Sequence, residues 1–416
     1  GTLNITGGNV TIGTGSGTAI NMANAGTGRT VTSDINLTGG TVDVTGNIIR
    51  QGGAGTENAT VTLNGSTLDM SGNSIGTSST NINFAAQSGT LRNLGELNDG
   101  ADLVKTTAGV LVLEGVNQHT GRTVINEGVL SISSQAHLGL APASFAADHL
   151  LLDGGTLRTT ATLALNEAHR GITVGAGGGA FETAASTTLT VESVITGGGA
   201  LSKEGAGTLI FNAVNTHTGT TTVNAGVLGG SGAVGGNLLV ADGGTLAPGS
   251  NAGMFTVSGD LTVSSGGTLL MELGGSTFNA AAAVQAEMDA NGHLSGMAAS
   301  IPPEWENYQL GVTEHDHILV NGASAPVIDG TLRFGPLLGA YNPAYGDVFD
   351  LLDWSFAGNI SGATSFDFSA VTLDVGLGFN TDLFANHGLI VVVPEPSRAL
   401  FLMLGLLGLM LRRRRR

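Results

Sequence analysis

The chain has 416 residues and no cysteine, which excludes a disulfide-stapled scaffold and a thiolate zinc site, though not export. Glycine accounts for 68 residues, charged side chains for 11% and aromatics for 5%; with no Gly-X-Y period and 41% hydrophobic residues in short runs, the composition points away from collagen and disorder, toward packed, turn-rich β structure. Net charge is −17, yet Arg398 and Arg412 to Arg416 hold six of the fifteen basic groups; residues 1–393 carry 9 basic against 31 acidic side chains, which argues against nucleic acid and anionic membrane surfaces as partners.

Residues 1–100 are short β runs separated by Gly and Asn, among them Leu3 to Thr6, Asn9 to Ile12, Thr30 to Leu37 and Thr60 to Leu63. Alternation such as Thr60-Val61-Thr62-Leu63 fits strands with one buried face. They read as irregular coils of a solenoid with turns of about 20–25 residues. The chain opens at Gly1 directly in strand-like text, which suggests a trimmed N-terminus, so the missing export signal carries no weight.

Residues 103–130 read LVKTTAGVLVLEGVNQHTGRTVINEGVL, and residues 201–228 read LSKEGAGTLIFNAVNTHTGTTTVNAGVL. The copies align without a gap at an offset of 98, and 15 of 28 positions are identical, including Lys105/Lys203, Asn117/Asn215, His119/His217 and Gly128/Gly226. Each reads as strand, polar turn, strand, Asn-x-Gly turn, strand, with no helix. That pattern suits a parallel β-solenoid in which each coil pairs only with its neighbours around one apolar core. Between and after the copies a Gly-Gly-Thr-Leu turn recurs at 154, 243 and 266, with a Val variant at 39.

The two copies resemble the autotransporter-associated β-strand repeat, or passenger-associated transport repeat. Its pattern is L-x-K-x-G-x-G-x-L-x-L-x-G-x-N-x-Y-T-G-x-T-x-V-x-x-G-x-L. His119 and His217 stand where the family usually has Tyr; Thr107 departs at the first Gly and Ala213 at the Gly before Asn. The resemblance is specific for residues 103–133 and 201–228 and looser from 150 to 275. It implies an all-β, right-handed parallel β-helix in an exported surface protein, and does not imply an enzyme. On this reading, residues 1–100 are irregular coils and 101–275 are the repeat-bearing solenoid.

Composition shifts at Gly275. Asn279 to Asn291 is Ala-rich, with Asn279 as N-cap and Gly292 as C-cap, so a short helix is expected there. Strand-like text resumes in Asp316 to Asn321, Gly330 to Phe334, Asp347 to Trp354, Val371 to Val375 and Leu389 to Val393. Residues 276–392 resemble the smaller β module that often follows such repeats, with the Ala-rich stretch as an insertion.

The end of the chain reads as a linker, Val393-Pro394-Glu395-Pro396-Ser397, then thirteen uncharged residues from Ala399 to Leu411, then Arg412, Arg413, Arg414, Arg415 and Arg416. Residues 393–416 resemble the PEP-CTERM sorting signal. That resemblance implies Val393, Pro394, Glu395 and Pro396 as the sorting motif, Ala399 to Leu411 as a short transmembrane helix, and the arginines as a cytoplasmic basic stop. It also implies a transient partner, an exosortase-type membrane protease. A helix of thirteen residues rises only about 20 Å against a hydrocarbon core of about 30 Å, which suits a temporary anchor better than a permanent one.

Other chemistry is weaker. His315-Asp316-His317 could place two imidazoles on one strand face for a metal, but without an evident third ligand a solvated face is the expectation, and no metal or cofactor is assigned. His119 and His217 recur at one repeat position and read as turn residues. Lys105 and Lys203 could serve a polysaccharide lyase as bases, but basic residues are few and scattered, so no catalytic residue is assigned. Asn98-Asp99-Gly100-Ala101-Asp102 reads as a turn rather than a calcium loop. Gly175 to Gly179 lacks the Lys-Ser/Thr of a phosphate loop.

The sequence therefore leads to a non-enzymatic β-solenoid of a Gram-negative bacterium, exported to the cell surface or matrix and transiently anchored in the inner membrane. Its expected role is structural or adhesive, in contact with exopolysaccharide or a biofilm matrix. A polysaccharide lyase or hydrolase is one alternative. An autotransporter passenger is another, disfavoured by the arginine-rich end with no barrel after it.

Overall fold

A computed structural model describes residues 1–15, 17–249, 252–274, 278–279, 315–339, 341–355 and 358–395. The chain forms two compact units, Gly1–Val227 and Leu228–Arg416. Both are built from strands in which burial alternates with period two, as in Leu201–Glu204 of the first and Thr268–Met271 of the second. Among the described residues helix is confined to short turns, Gln135–Leu138 and Phe384–His387, and no helix is long and apolar enough to cross a membrane.

In the first unit, Thr2–Ile12, Thr30–Val44, Thr56–Asp69, Asn83–Arg92, Leu103–Glu114 and Thr123–Ile132 pair in sequence as parallel neighbours. Beyond Ala146 the turns divide into shorter strands on three faces. One face holds Ala146–Leu152, Arg170–Val174 and Ile195–Gly197. The second holds Thr156–Thr159, Gly179–Thr183, Leu201–Glu204 and Thr221–Val223, and the third holds Leu163–Leu165, Thr188–Val191 and Thr208–Phe211. Leu103 faces Thr123 and Leu201 faces Thr221, so the two repeat copies close turns of the same length. The opening turn is longer than expected, since Thr2 stands opposite Asp34.

Parallel stacking places like against like. Leu111, Leu130, Leu157, Phe181, Lys203 and Val223 stand in one register column, and none is more than 1% exposed. Each large apolar side chain buried this way contributes roughly 1.5–3 kcal/mol. Turns are held as tightly. Gly128 and Gly226 take φ of 69° and 66°, and a Cβ there would collide with the carbonyl oxygens of Thr107 and Gly207. Only glycine meets both demands, so the Asn-x-Gly turn of each repeat is fixed by backbone sterics.

In the second unit, Ala233–Val234, Met254–Val257, His317–Val320 and Leu352–Trp354 form one parallel ladder. Leu238–Val240, Leu261–Val263 and Val327–Ile328 form another. A third joins Gly244–Pro248, Thr268–Met271, Thr331–Phe334 and Ser365–Asp367. An antiparallel sheet contains Phe278–Asn279, Asp347–Asp350, Leu389–Pro394 and Leu377–Asn380.

Three expectations change here. The parallel ladders run across the composition shift at 275, because Met254–Val257 and Thr268–Met271 pair directly with strands after 315. Leu238 faces Leu261 across a turn of ordinary length, whereas Met254 faces His317, so the Ala-rich text is extra chain inserted within a single turn. Asn279 closes a strand opposite Asp347 instead of capping a helix; the rest of that predicted helix lies outside the described residues. Val393 and Pro394 are not linker: Gly378 pairs with Val393 and Leu377 with Pro394, and Glu395 N–H donates to Gly376 O at 2.9 Å. Pro396, the apolar stretch Ala399 to Leu411 and the arginines 412–416 lie outside the described residues.

Candidate functional site

Three of the residue pairs duplicated in the repeats, Lys105/Lys203, Asn117/Asn215 and His119/His217, are buried in the first unit. Lys203 is fully buried, and its ammonium donates to Glu204 O and Gly205 O at 2.8 Å and to Ala225 O at 3.1 Å. Lys105 repeats the wiring, reaching Thr107 O, Thr107 Oγ1 at 3.1 Å and Glu127 O at 3.4 Å. Each lysine thus ties backbone just after it in its own coil to a carbonyl one coil later. Burial pulls both ammonium groups below the ordinary lysine value, Lys203 to about 8. With their contacts spent inside the coil, neither is placed to take a proton from a substrate at the surface.

Asn117 bridges coils in the same way. Its Oδ1 accepts from Leu94 N–H at 2.9 Å and its Nδ2 donates to His137 O at 2.8 Å. Asn215 Oδ1 accepts from Ile195 N–H at 2.8 Å. Replacing Asn117 by alanine orphans one buried donor and one buried acceptor, so the expected loss is about 2–4 kcal/mol in denaturant unfolding. The corresponding change at exposed Asn212, outside any bridge, is expected to fall within about 0.5 kcal/mol.

His119 and His217 lie in the segments between strands, and both rings are fully buried. His119 Nε2 meets Thr123 Oγ1 at 3.3 Å and His217 Nε2 meets Thr221 Oγ1 at 2.7 Å. Burial holds both imidazoles down to about 4. Glu96 pulls His119 back up slightly, while Arg170 and His149 push it further down.

The other loops close on themselves. Asn98 takes Ile82 N–H and returns a bond to Ile82 O, both at 2.9 Å, and Asp99 Oδ2 accepts Ser78 N–H at 2.7 Å. Asp102 is paired with Arg122 at 2.7 Å. In the glycine run, Gly177 N–H is taken by Asp153 Oδ1 at 2.7 Å, which occupies the donor a phosphate would need.

The second unit gathers titratable groups around His315-Asp316-His317. This segment is not a solvated strand face, because all three residues are buried, at 3%, 0% and 4% exposure. The strand hydrogen-bonds on both sides, to Met254–Val257 and to Leu352–Trp354, and so has no water-facing edge. The two imidazoles go to different partners. His315 Nε2 contacts Asp350 O at 3.0 Å, and its ring packs edge-on against Phe349 at 5.8 Å. Asp316 accepts from Gly253 N–H at 3.0 Å and Glu272 N–H at 2.7 Å, and burial pushes its carboxyl up to about 8.

His317 turns toward two carboxylates. One donor atom each from His317, Asp350 and Asp353 lies within 4.8 Å of the other two. Ile318 pairs with Leu352 and Leu319 with Asp353, so His317 and Asp353 project on the same face of neighbouring strands, one diagonal step apart in register. Asp350 ends the antiparallel strand just before the chain enters the parallel ladder at Leu352. Burial, reinforced by the Asp353 charge, pushes Asp350 up to about 7. Both carboxylates that meet His317 therefore come from the Asp350-Leu351-Leu352-Asp353 run, and His315 is not among the grouped residues. Only the pairing of Ile318 with Leu352 brings that run beside His317, and no local pattern announces that register.

The passenger-associated transport repeat family matches residues 103–132 and 201–229, the two copies described above. The chain is 35% identical over 152 residues to the adhesin BmaC autotransporter of Brucella suis biovar 1 (strain 1330), a span covering 36% of this chain and 4% of that protein. No solved structure matches.

Proposed function

We propose that this chain is a passenger-like segment of an exported, non-enzymatic surface adhesin, working as an adhesive or structural right-handed β-solenoid. The observation that carries the reading is the match of the repeat family to two coils whose lysine, asparagine and histidine are all spent on internal architecture. The likeness to an adhesin autotransporter supports it. So do uncharged polar pairs between coils, such as Asn4–Asn36 at 2.8 Å, Ser88–Asn64 at 2.8 Å and Thr173–Thr196 at 2.9 Å. Stacked hydroxyls and amides at the strand spacing suit a carbohydrate surface such as exopolysaccharide or a biofilm matrix.

Release runs through the tail in this reading: the Pro394-Glu395-Pro396 motif is recognised by an exosortase-type protease while the Ala399 to Leu411 stretch holds the chain in the inner membrane. The test is the intact mass of the protein from an exosortase-bearing Gram-negative host, in envelope and medium fractions separately. The expected product lacks the residues after the motif and is extracellular. A chain retaining Arg416 in the inner membrane overturns the processing step. Purified chain that fails to bind host exopolysaccharide, with a scrambled-glycan control, overturns the adhesive role. Recovery as part of a much longer polypeptide favours autotransporter export instead.

A further inference from the structure

We infer that His317, Asp350 and Asp353 form a binding site for a borderline divalent cation of the zinc class, clipping two successive coils of the second unit. The ligands come from three places that the fold alone unites: the start of His317–Val320, the end of Asp347–Asp350 and the middle of Leu352–Trp354.

The histidine distinguishes this cluster from an ordinary acidic patch. Its side chain is only 5% exposed, neither ring nitrogen makes a hydrogen bond, and Nε2 faces Asp353 Oδ2 at 3.5 Å. A charge-assisted hydrogen bond would draw these atoms to about 2.7–2.9 Å. A tetrahedral zinc with bonds of about 2.0–2.1 Å separates its ligands by about 3.3–3.5 Å, which is the spacing between His317 and Asp353. The donor set of one imidazole and two carboxylates suits zinc and its first-row neighbours. Calcium would need about six to eight oxygens, and an imidazole is a poor substitute for them. Asp353 is 55% exposed, so the site has an opening for the ion and a position for a water as fourth ligand. The absence of cysteine removes the common competitor for zinc within the chain.

The test uses the full chain, free of any histidine tag, and Zn²⁺ alone as probe. Equilibrium dialysis with metal analysis is expected to give one zinc per chain, and zinc is expected to raise the melting temperature. Asp353→Asn keeps the shape of an exposed side chain. It removes one of two neighbouring carboxylate charges, so it should not lower the metal-free melting temperature, while it should weaken zinc at least about tenfold and abolish the thermal shift. His317→Gln should do the same to binding. No zinc at stoichiometric level, or unchanged affinity in both variants, overturns the site. Calcium binding as tightly as zinc, lost equally in Asp353→Asn, overturns the choice of metal class.

Discussion

Replacing Lys203 by alanine is expected to cost about 4 kcal/mol of unfolding free energy in the first unit, a large share of what a typical domain possesses. Two effects combine. The three partly buried carbonyls of Glu204, Gly205 and Ala225 lose their shared donor, at about 1–3 kcal/mol for each group left unmet and less than additively. The missing alkyl stem also opens a cavity between Phe181 and Val223, its neighbours in the register column. Lys203→Met separates the two: it fills the space without donating, so about 2–3 kcal/mol is expected. Guanidinium unfolding followed by circular dichroism measures both. A loss below about 1 kcal/mol in Lys203→Met would show that the ammonium only balances its own desolvation. Because coils contact only their neighbours, the loss should be local, with faster amide exchange around residues 201–226 than around residues 56–69.

The same lysine shows what the sequence reveals and what it withholds. Strand text, turn glycines and the doubled unit make a parallel coil legible, because alternation and Asn-x-Gly turns are local properties. Lys203 is in a core-facing slot by alternation alone, since it follows buried Leu201 on the same face of its strand. The rule that a charged residue faces water pulls the other way, and only the three facing carbonyls resolve the conflict. The copies also stand in different columns. Lys105 follows Ala86 and precedes Ile125, whereas Lys203 follows Phe181 and precedes Val223. A repeat that keeps its local wiring while its neighbours change cannot yield those neighbours from its own letters. The second unit is the least legible. Its composition change suggests a new module, yet its register depends on partners as distant as Met254 and His317, and the insertion between them hides the periodicity. His317 stands out in the sequence, but its carboxylate partners are set by the same long-range register.

Acid is expected to weaken the first unit, with His119 and His217 responsible for most of the loss. Both imidazoles ionise near 4 in the folded chain and near the ordinary 6.5 when unfolded, because burial disfavours the charged ring. Between those values the unfolded chain binds protons that the folded chain refuses. Their stabilising contribution is therefore complete above about pH 6.5 and is lost as pH falls toward 4, by roughly 3 kcal/mol per histidine. His137 and His149, also lowered by burial, act with the same sign. Asp316 and Asp350, raised by burial in the second unit, act with the opposite sign, which makes the total profile of the chain uninformative. The difference between the wild type and His119→Gln/His217→Gln isolates the effect, since an amide can meet Thr123 and Thr221 without taking a proton. At pH 7 the double variant should match the wild type or lie below it by about 1–2 kcal/mol, the worth of one or two imperfectly remade hydrogen bonds. By pH 4.5 the order should reverse, with the variant the more stable in guanidinium unfolding. His217→Gln alone should carry about half, and it is the cleaner probe because burial alone shifts that ring. Parallel loss of midpoint in wild type and variant would mean that the rings are solvated as the chain breathes, and the buried imidazole–hydroxyl pairs could not then be the acid-sensitive joints of the coil.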